Sequence, residues 1–371
     1  MDITQLKKVE LEITSDCNAA CPGCQRTSLN NVGKLKVQDF SFADLKRIFP
    51  PGNYDGVEFK FCGVLGDPAI HPQFADMLEY LLENQGMISI STNGAVGTAD
   101  MWTRLGHMCA KYQNKFHLHW CVDGHKETNH IYRVNTKWSV LERNMNAFSE
   151  AVGEYAYRAK WVYIVFDHNE HELEIAREHA KRLGFNFATR TGMRNSFHKW
   201  IAELPKKAVV NNKKKVVKQE KVITTTGAKE HSKVEQVKKL DDFIAKENKT
   251  QKETVKVLQT IQCKYIHEGE IFIAADQTMW PCCFLSDSST NNKEKINDKM
   301  HEYGDGWNSL QDKSINEVMQ HPWFDKILTD SWDPNHSKHL PRCIRTCAYN
   351  KAYHNELHDD KKVTAWANRI V

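Results

Sequence analysis

Cys17, Cys21 and Cys24 stand within eight residues of one another in "TSDCNAACPGCQR", a CxxxCxxC spacing directly after a strand-like run, "VELEI" (Val9 to Ile13). Three thiolates this close on a loop can wrap three irons of a cubane cluster and leave the fourth iron without a protein ligand. Iron–sulfur electron carriers mostly close the cluster with a fourth cysteine, so a vacant iron points to a cluster that binds something. Zinc is the plainer alternative. It takes four ligands, usually in CxxC pairs, and no His or Cys follows Cys24 closely enough to complete a local knuckle. Completion from a distance, for example by Cys62 or His71, stays open. A disulfide framework is disfavoured, because 11 cysteines is an odd number and no secretory signal precedes them.

A loop with this chemistry needs elements to hold it. Strand patterns recur at "VELEI", "VEFKF" (Val57 to Phe61), "MISIS" (Met87 to Ser91), "HLHWC" (His117 to Cys121), "WVYIVF" (Trp161 to Phe166) and "FNFAT" (Phe185 to Thr189). Amphipathic helices fall between them. Phe74, Met77, Leu78 and Leu81 form one apolar face, and Leu173, Ala176, Ala180 and Leu183 another that stops at Gly184. Six strand–helix units in order predict an α/β fold with a parallel sheet. Parallel α/β folds place their chemistry at the C-terminal ends of the strands, and each unusual polar cluster in the chain directly follows a strand.

The 371 residues suffice for more than one domain, and 26% charged with 40% hydrophobic residues is ordinary for a globular protein. The net charge of +4 is unevenly spread, because Lys206 to Lys256 hold fifteen lysines against seven acids. The remainder is therefore net acidic, which argues against nucleic acid as a partner. No apolar run approaches the ~18 residues of a membrane span. With no targeting segment, and with cluster thiolates, the cytoplasm is the expected compartment. The expected divisions are a core at 1–200, a lysine-rich linker or insertion at 201–258, and a smaller cysteine-containing domain at 259–371.

In its CxxxCxxC loop after the first strand, the chain resembles the radical SAM superfamily. That resemblance implies a six-stranded partial (βα)6 barrel, a SAM-binding 4Fe-4S cluster on Cys17, Cys21 and Cys24, and S-adenosylmethionine as a cofactor. The family's aromatic residue before the last cysteine is here Gly23. The segment "CGVLGDPAIHP" is similar to the family's GGEP turn, which binds the methionyl amino group. Gly63, Gly66 and Asp67 take its cofactor-binding positions, with Asp in place of Glu. "STNG" matches the third-strand turn through Asn93. "CVDGHKETNHIYR" resembles a segment beside the cofactor in SPASM and twitch members. There Asp123 would bond ribose hydroxyls or shape the pocket, and Arg133 would pair with the methionyl carboxylate; a structural ion pair is the alternative for either.

Cys263, Cys282, Cys343 and Cys347 follow the auxiliary-cluster pattern of those members, with Gln277 in place of a glycine. They imply a second, fully ligated 4Fe-4S cluster in a small α+β domain of the shortened twitch form. A zinc ribbon accepts the same four ligands, and the sequence does not choose between Cys282 and Cys283. Cys62, Cys109 and Cys121 read as small buried hydrophobes.

The resemblance further implies an electron donor such as flavodoxin or ferredoxin, and a peptide or small-molecule substrate, with peptide or protein modification favoured. The first strand begins so early that no leader-peptide-binding domain is expected before it. The ending "NRIV" differs from the Gly-Gly of a molybdopterin-precursor cyclase. The rival from another class is a non-catalytic iron–sulfur or zinc scaffold.

Overall fold

A computed structural model describes residues 3–190, 261–290, 296–333 and 335–347. The lysine-rich linker or insertion expected at 201–258 lies outside the described residues.

All six expected strands form, at β1 (Lys8–Leu11), β2 (Glu58–Phe61), β3 (Met87–Thr92), β4 (Phe116–Cys121), β5 (Ala159–Ile164) and β6 (Asn186–Arg190). Each pairs in parallel with its neighbour in sequence, which gives the open partial barrel. Two further strands were not foreseen. β7 (Glu270–Ile273) lies parallel to the free side of β1, and β8 (Met279–Trp280) runs antiparallel to β7. The sheet order is β6-β5-β4-β3-β2-β1-β7-β8. The α+β region at 261–347 thus adds its strands to the barrel's own sheet.

The pleat divides each strand into two faces. Val9, Leu11, Phe59, Phe61, Ile88, Ile90, Leu118, Trp120 and Trp161 are buried on the outer face, under the helices. Those helices are α1 (Gln25–Asn31), α2 (Phe42–Ile48), α3 (Phe74–Glu83), α4 (Ala99–Tyr112), α5 (Asn129–Tyr132), α6 (Trp138–Val152) and α7 (Leu173–Arg182). The two faces expected from periodicity are present: α3 buries Phe74, Met77, Leu78 and Leu81, and α7 buries Ala176 and Ala180. Burying one such large side chain contributes about 1.5–3 kcal/mol. The inner face is polar. It carries Lys8, Glu10 and Glu12 on or just beyond β1, Lys60 and Cys62 from β2, and His117 and His119 from β4. Among the described residues no helix is long and apolar enough to cross a membrane.

Candidate functional site

The three thiols of the CxxxCxxC loop gather at the C-terminal end of β1, in one contact cluster with Ala19, Tyr132, Phe166 and Ile164. The loop is pinned at its base. The Asp16 carboxylate accepts from the Cys17 amide at 2.8 Å and from Arg26 Nη2 at 2.7 Å, tying the loop to α1. Further along, the Ala20 amide donates to Val134 O at 2.9 Å, and Asn18 Nδ2 to Ala95 O at 2.9 Å. Polar hydrogens are turned toward the sulfurs. The Ala19 amide lies 3.4 Å from Cys17 Sγ, Asn93 Nδ2 3.8 Å from the same sulfur, and Arg133 Nη1 3.9 Å from Cys21 Sγ. Burial, and next the Asp67 carboxylate, pushes the Cys17 thiol well up. Such a thiol needs a metal or a cation to ionise.

The loop after β2 presses directly against this one. A Cβ on Gly66 would sit 1.7 Å from Thr14 O, so only glycine fits, and the Asp67 amide then donates to Asp16 O at 2.8 Å. A Cβ on Gly63 would meet Glu12 Oε1 at 2.7 Å. Glu12 is the clamp here, because its Oε1 accepts from the Leu65 amide at 2.6 Å and the Gly66 amide at 3.2 Å. Burial raises the Glu12 carboxyl to about 7 despite those amides, and Asp276 adds repulsion.

Asp67 is buried, and both its oxygens are engaged. Oδ1 accepts from Thr92 Oγ1 at 2.7 Å and the Ala69 amide at 3.1 Å, while Oδ2 accepts from the amide and Nδ2 of Asn93, each at 2.7 Å. Asn93 Nδ2 also reaches Asn18 Oδ1 at 2.9 Å, so one carboxylate links the loops after β1, β2 and β3. Asp123, at the end of β4, is likewise enclosed. Oδ2 pairs with Arg133 at 2.8 Å, and Oδ1 accepts from the Ile164 amide at 2.8 Å. For Arg133, burial opposes the charge, but the Asp123 carboxylate favours it, and an ionised Cys21 sulfur would add to that.

The second set of cysteines also converges. Burial first, and then Cys347 and Cys263, pushes the Cys282 thiol up to about 12, and Cys343 is raised by burial and then by Cys282, Cys263 and Cys347. The Gln262 amide donates to Cys347 O at 2.9 Å, joining the two ends of the segment. Cys283 diverges from its neighbour. Its electrostatic surroundings are Glu10, Cys282, Cys62 and Lys60 in the barrel interior. Gln277, standing where the pattern has glycine, adopts φ +66°, the left-handed conformation that glycine takes freely.

Cys62 departs from expectation. It is not an inert hydrophobe: its thiol donates to Glu10 Oε1 at 2.8 Å, the same oxygen that pairs with Lys60 Nζ at 2.6 Å. The inner pleat places it among charges. Cys121 shares that face, and Cys109 is fully buried in α4 as expected. His71 is engaged as well, its Nδ1 accepting from the Gln73 amide at 3.1 Å. Among the described residues no three His, Cys, Asp or Glu side chains are placed to hold a single metal ion. Sequence reasoning also missed Glu12, and Tyr132 with Phe166, whose rings lie 4.7 Å apart beside Cys21. The alternation K-x-E-x-E along β1 is the signal that would have found Glu12.

No family model matches the chain. It is 29% identical over 104 residues to the tungsten-containing aldehyde ferredoxin oxidoreductase cofactor-modifying protein of Pyrococcus furiosus. That match spans 28% of this chain and 28% of that protein. Among solved structures it is similar to anSMEcpe with bound AdoMet and a peptide, at 15% identity and a TM-score of 0.49, covering 98% of this chain and 99% of that one. It is also similar to Streptococcus suis SuiB bound to S-adenosylmethionine, at 11% identity and a TM-score of 0.45, covering 91% and 68%. Likeness of this degree assigns neither activity nor substrate.

Proposed function

We propose that this chain is a radical S-adenosylmethionine enzyme acting on a peptide or protein substrate. The observation that carries the reading is the gathering of Cys17, Cys21 and Cys24 at the C-terminal mouth of a parallel sheet, with N–H donors facing the sulfurs of Cys17 and Cys21. Three thiols with such donors fit an open-site 4Fe-4S cluster, since N–H groups and a guanidinium stabilise thiolates that burial alone would leave protonated. When bound, the cluster and S-adenosylmethionine supply one-electron cleavage of the sulfonium and hydrogen abstraction from a substrate.

The chain's own residues then divide the work. Arg133 offers the methionyl carboxylate a cation that Asp123 holds in place. Asp123 thereby shapes the pocket, its oxygens being taken up by Arg133 and the Ile164 amide. Asp67 acts as a positioning residue for Asn93 and the loops, which leaves the carbonyls of the Gly63–Gly66 turn to meet the methionyl ammonium. Tyr132 and Phe166 give the apolar wall that Gly23 does not provide. Cys263, Cys282, Cys343 and Cys347 would hold an auxiliary 4Fe-4S cluster, fed like the first by a flavodoxin- or ferredoxin-type donor. Residues 1–200 would form the core and 259–371 the auxiliary part.

The test is iron and sulfide analysis after anaerobic reconstitution. About eight of each per chain are expected, because seven cysteines match two cluster patterns. Replacing Cys17, Cys21 and Cys24 with alanine should leave about four. Cys282→Ala should also lose one cluster, while Cys283→Ala keeps both. Reduced wild-type protein should consume S-adenosylmethionine. Stoichiometric zinc without iron, or two clusters with no consumption of S-adenosylmethionine, would favour the scaffold reading and overturn this one.

A further inference from the structure

A cavity of about 1050 Å3 opens beside the cysteine loop, between the ends of β1 and β2 and the turns after β7. No cysteine lines it, nor do Asp67, Asn93, Asp123 or Arg133; it adjoins the site described above through Glu12 and Leu65. Its volume reaches the upper end of small-molecule pockets, which run to about 1,000 Å3. Trp280, Trp307 and Leu29 give it apolar surface.

Its floor is Glu12, only 3% exposed. Asp67 fills both its oxygens with side-chain and amide donors, whereas Glu10 has a cation in Lys60 at 2.6 Å, Glu270 in Lys264 at 3.3 Å and Asp123 in Arg133 at 2.8 Å. Among the described residues Glu12 has none. It accepts backbone amides on one oxygen and shares the cavity lining with a second carboxylate, Asp276, which repels it. Buried charges are paired or they neutralise. The remaining charges on the lining are Asp298 and Asp305 against Lys34 and Lys36, which leaves the cavity acidic.

We infer that this cavity binds an ammonium- or guanidinium-bearing ligand, with Glu12 and Asp276 as its counter-charges. A basic side chain of a peptide suits the volume and the tryptophans, and that occupant rests on the function proposed above.

The test uses the full chain under anaerobic conditions at about pH 8, where Glu12 ionises. Three probes are titrated calorimetrically: acetyl-Ala-Ala-Lys-Ala-Ala-amide, its norleucine counterpart, and n-butylamine. The lysine peptide should bind about tenfold more tightly than the norleucine peptide, the worth of one charge-assisted contact. Glu12→Gln should abolish that preference and Asp276→Asn should reduce it several-fold, while Asp276→Asn leaves S-adenosylmethionine binding unchanged. Equal binding of the two peptides, no binding of either, or a lysine preference that survives both substitutions together overturns the site. Butylamine binding as tightly as the lysine peptide overturns the peptide as occupant and supports a small amine. Failure of the radical reading would show separately, as absent S-adenosylmethionine consumption with the lysine preference intact.

Discussion

Glu12→Gln isolates one titration with a definite sign. Glu12 goes from 4.5 in the unfolded chain to about 7 when buried, so between these values the folded protein holds a proton that the unfolded chain has released. Stability from this carboxyl is therefore full below about pH 4.5 and is lost as pH rises through about 7. Each unit is worth about 1.4 kcal/mol, so the loss amounts to roughly 3 kcal/mol by pH 8. Glutamine keeps the carbonyl oxygen that the Leu65 and Gly66 amides need and removes the titration. The variant should match wild type near pH 5 and exceed it by about 2.5–3 kcal/mol near pH 8. Other groups cancel in the difference. Among them is His119, which burial first and Lys160 next hold neutral down to about 3, so that its contribution to stability rises with pH. The assay is urea unfolding of metal-free, reduced protein at several pH values, followed by tryptophan fluorescence with a common slope. A difference that stays constant within about 0.5 kcal/mol, or that shrinks toward high pH, refutes the argument.

Asp123→Asn keeps an acceptor for the Ile164 amide but leaves Arg133 without its counter-charge. Urea unfolding should show a loss of about 3 kcal/mol, and S-adenosylmethionine titration an affinity about ten- to hundredfold weaker; unchanged values in both would make the pair dispensable. Gln277→Val places a β-branched residue at φ +66° and should cost about 1–2 kcal/mol in thermal unfolding, while Gln277→Gly should be nearly neutral. Equal melting of the Val and Gln forms would mean the turn relaxes without strain.

Much of the fold was legible because its signals are local. Apolar alternation sets each strand, and Leu173, Ala176 and Ala180 set one face of α7, which ends before Gly184 at φ +74°. The cysteine loop was legible for the same reason, since spacing alone brings Cys17, Cys21 and Cys24 together. What the sequence does not announce is anything decided by a partner distant in sequence. Nothing near Asp67 announces that Asn93 and Thr92, some 25 positions on, will fill both its oxygens. Cys282 and Cys283 are adjacent, and only the entry into the helix at Cys283–Thr290 turns one toward Cys263 and Cys347 and the other toward Glu10. β7 and β8 escaped notice because a four-residue strand and a two-residue strand carry too little periodicity to read.

The inner face of the barrel explains why its chemistry collects at one end. Along β1 every second residue is charged, and the cross-strand register supplies partners. Lys8 meets Glu58 at 3.3 Å and Glu270 at 3.9 Å, and two residues further along Glu10 meets Lys60, its own cross-strand partner, at 2.6 Å. Burial alone would raise Glu10, yet Lys60 and the Cys62 thiol bring it to about 2, so that pair stays ionised across the working pH range. One step further the ladder of charges runs out. Glu12 lies beyond the last paired residue of β1, where β2 has already turned into the Gly63–Asp67 loop and offers amides instead of a lysine. A strand buried in a sheet can satisfy its charges from its neighbours only while those neighbours remain strands. The point where they become loops is where an unpaired carboxylate, close-packed glycines and a cavity coincide, and a ligand can contribute there what the sheet no longer does.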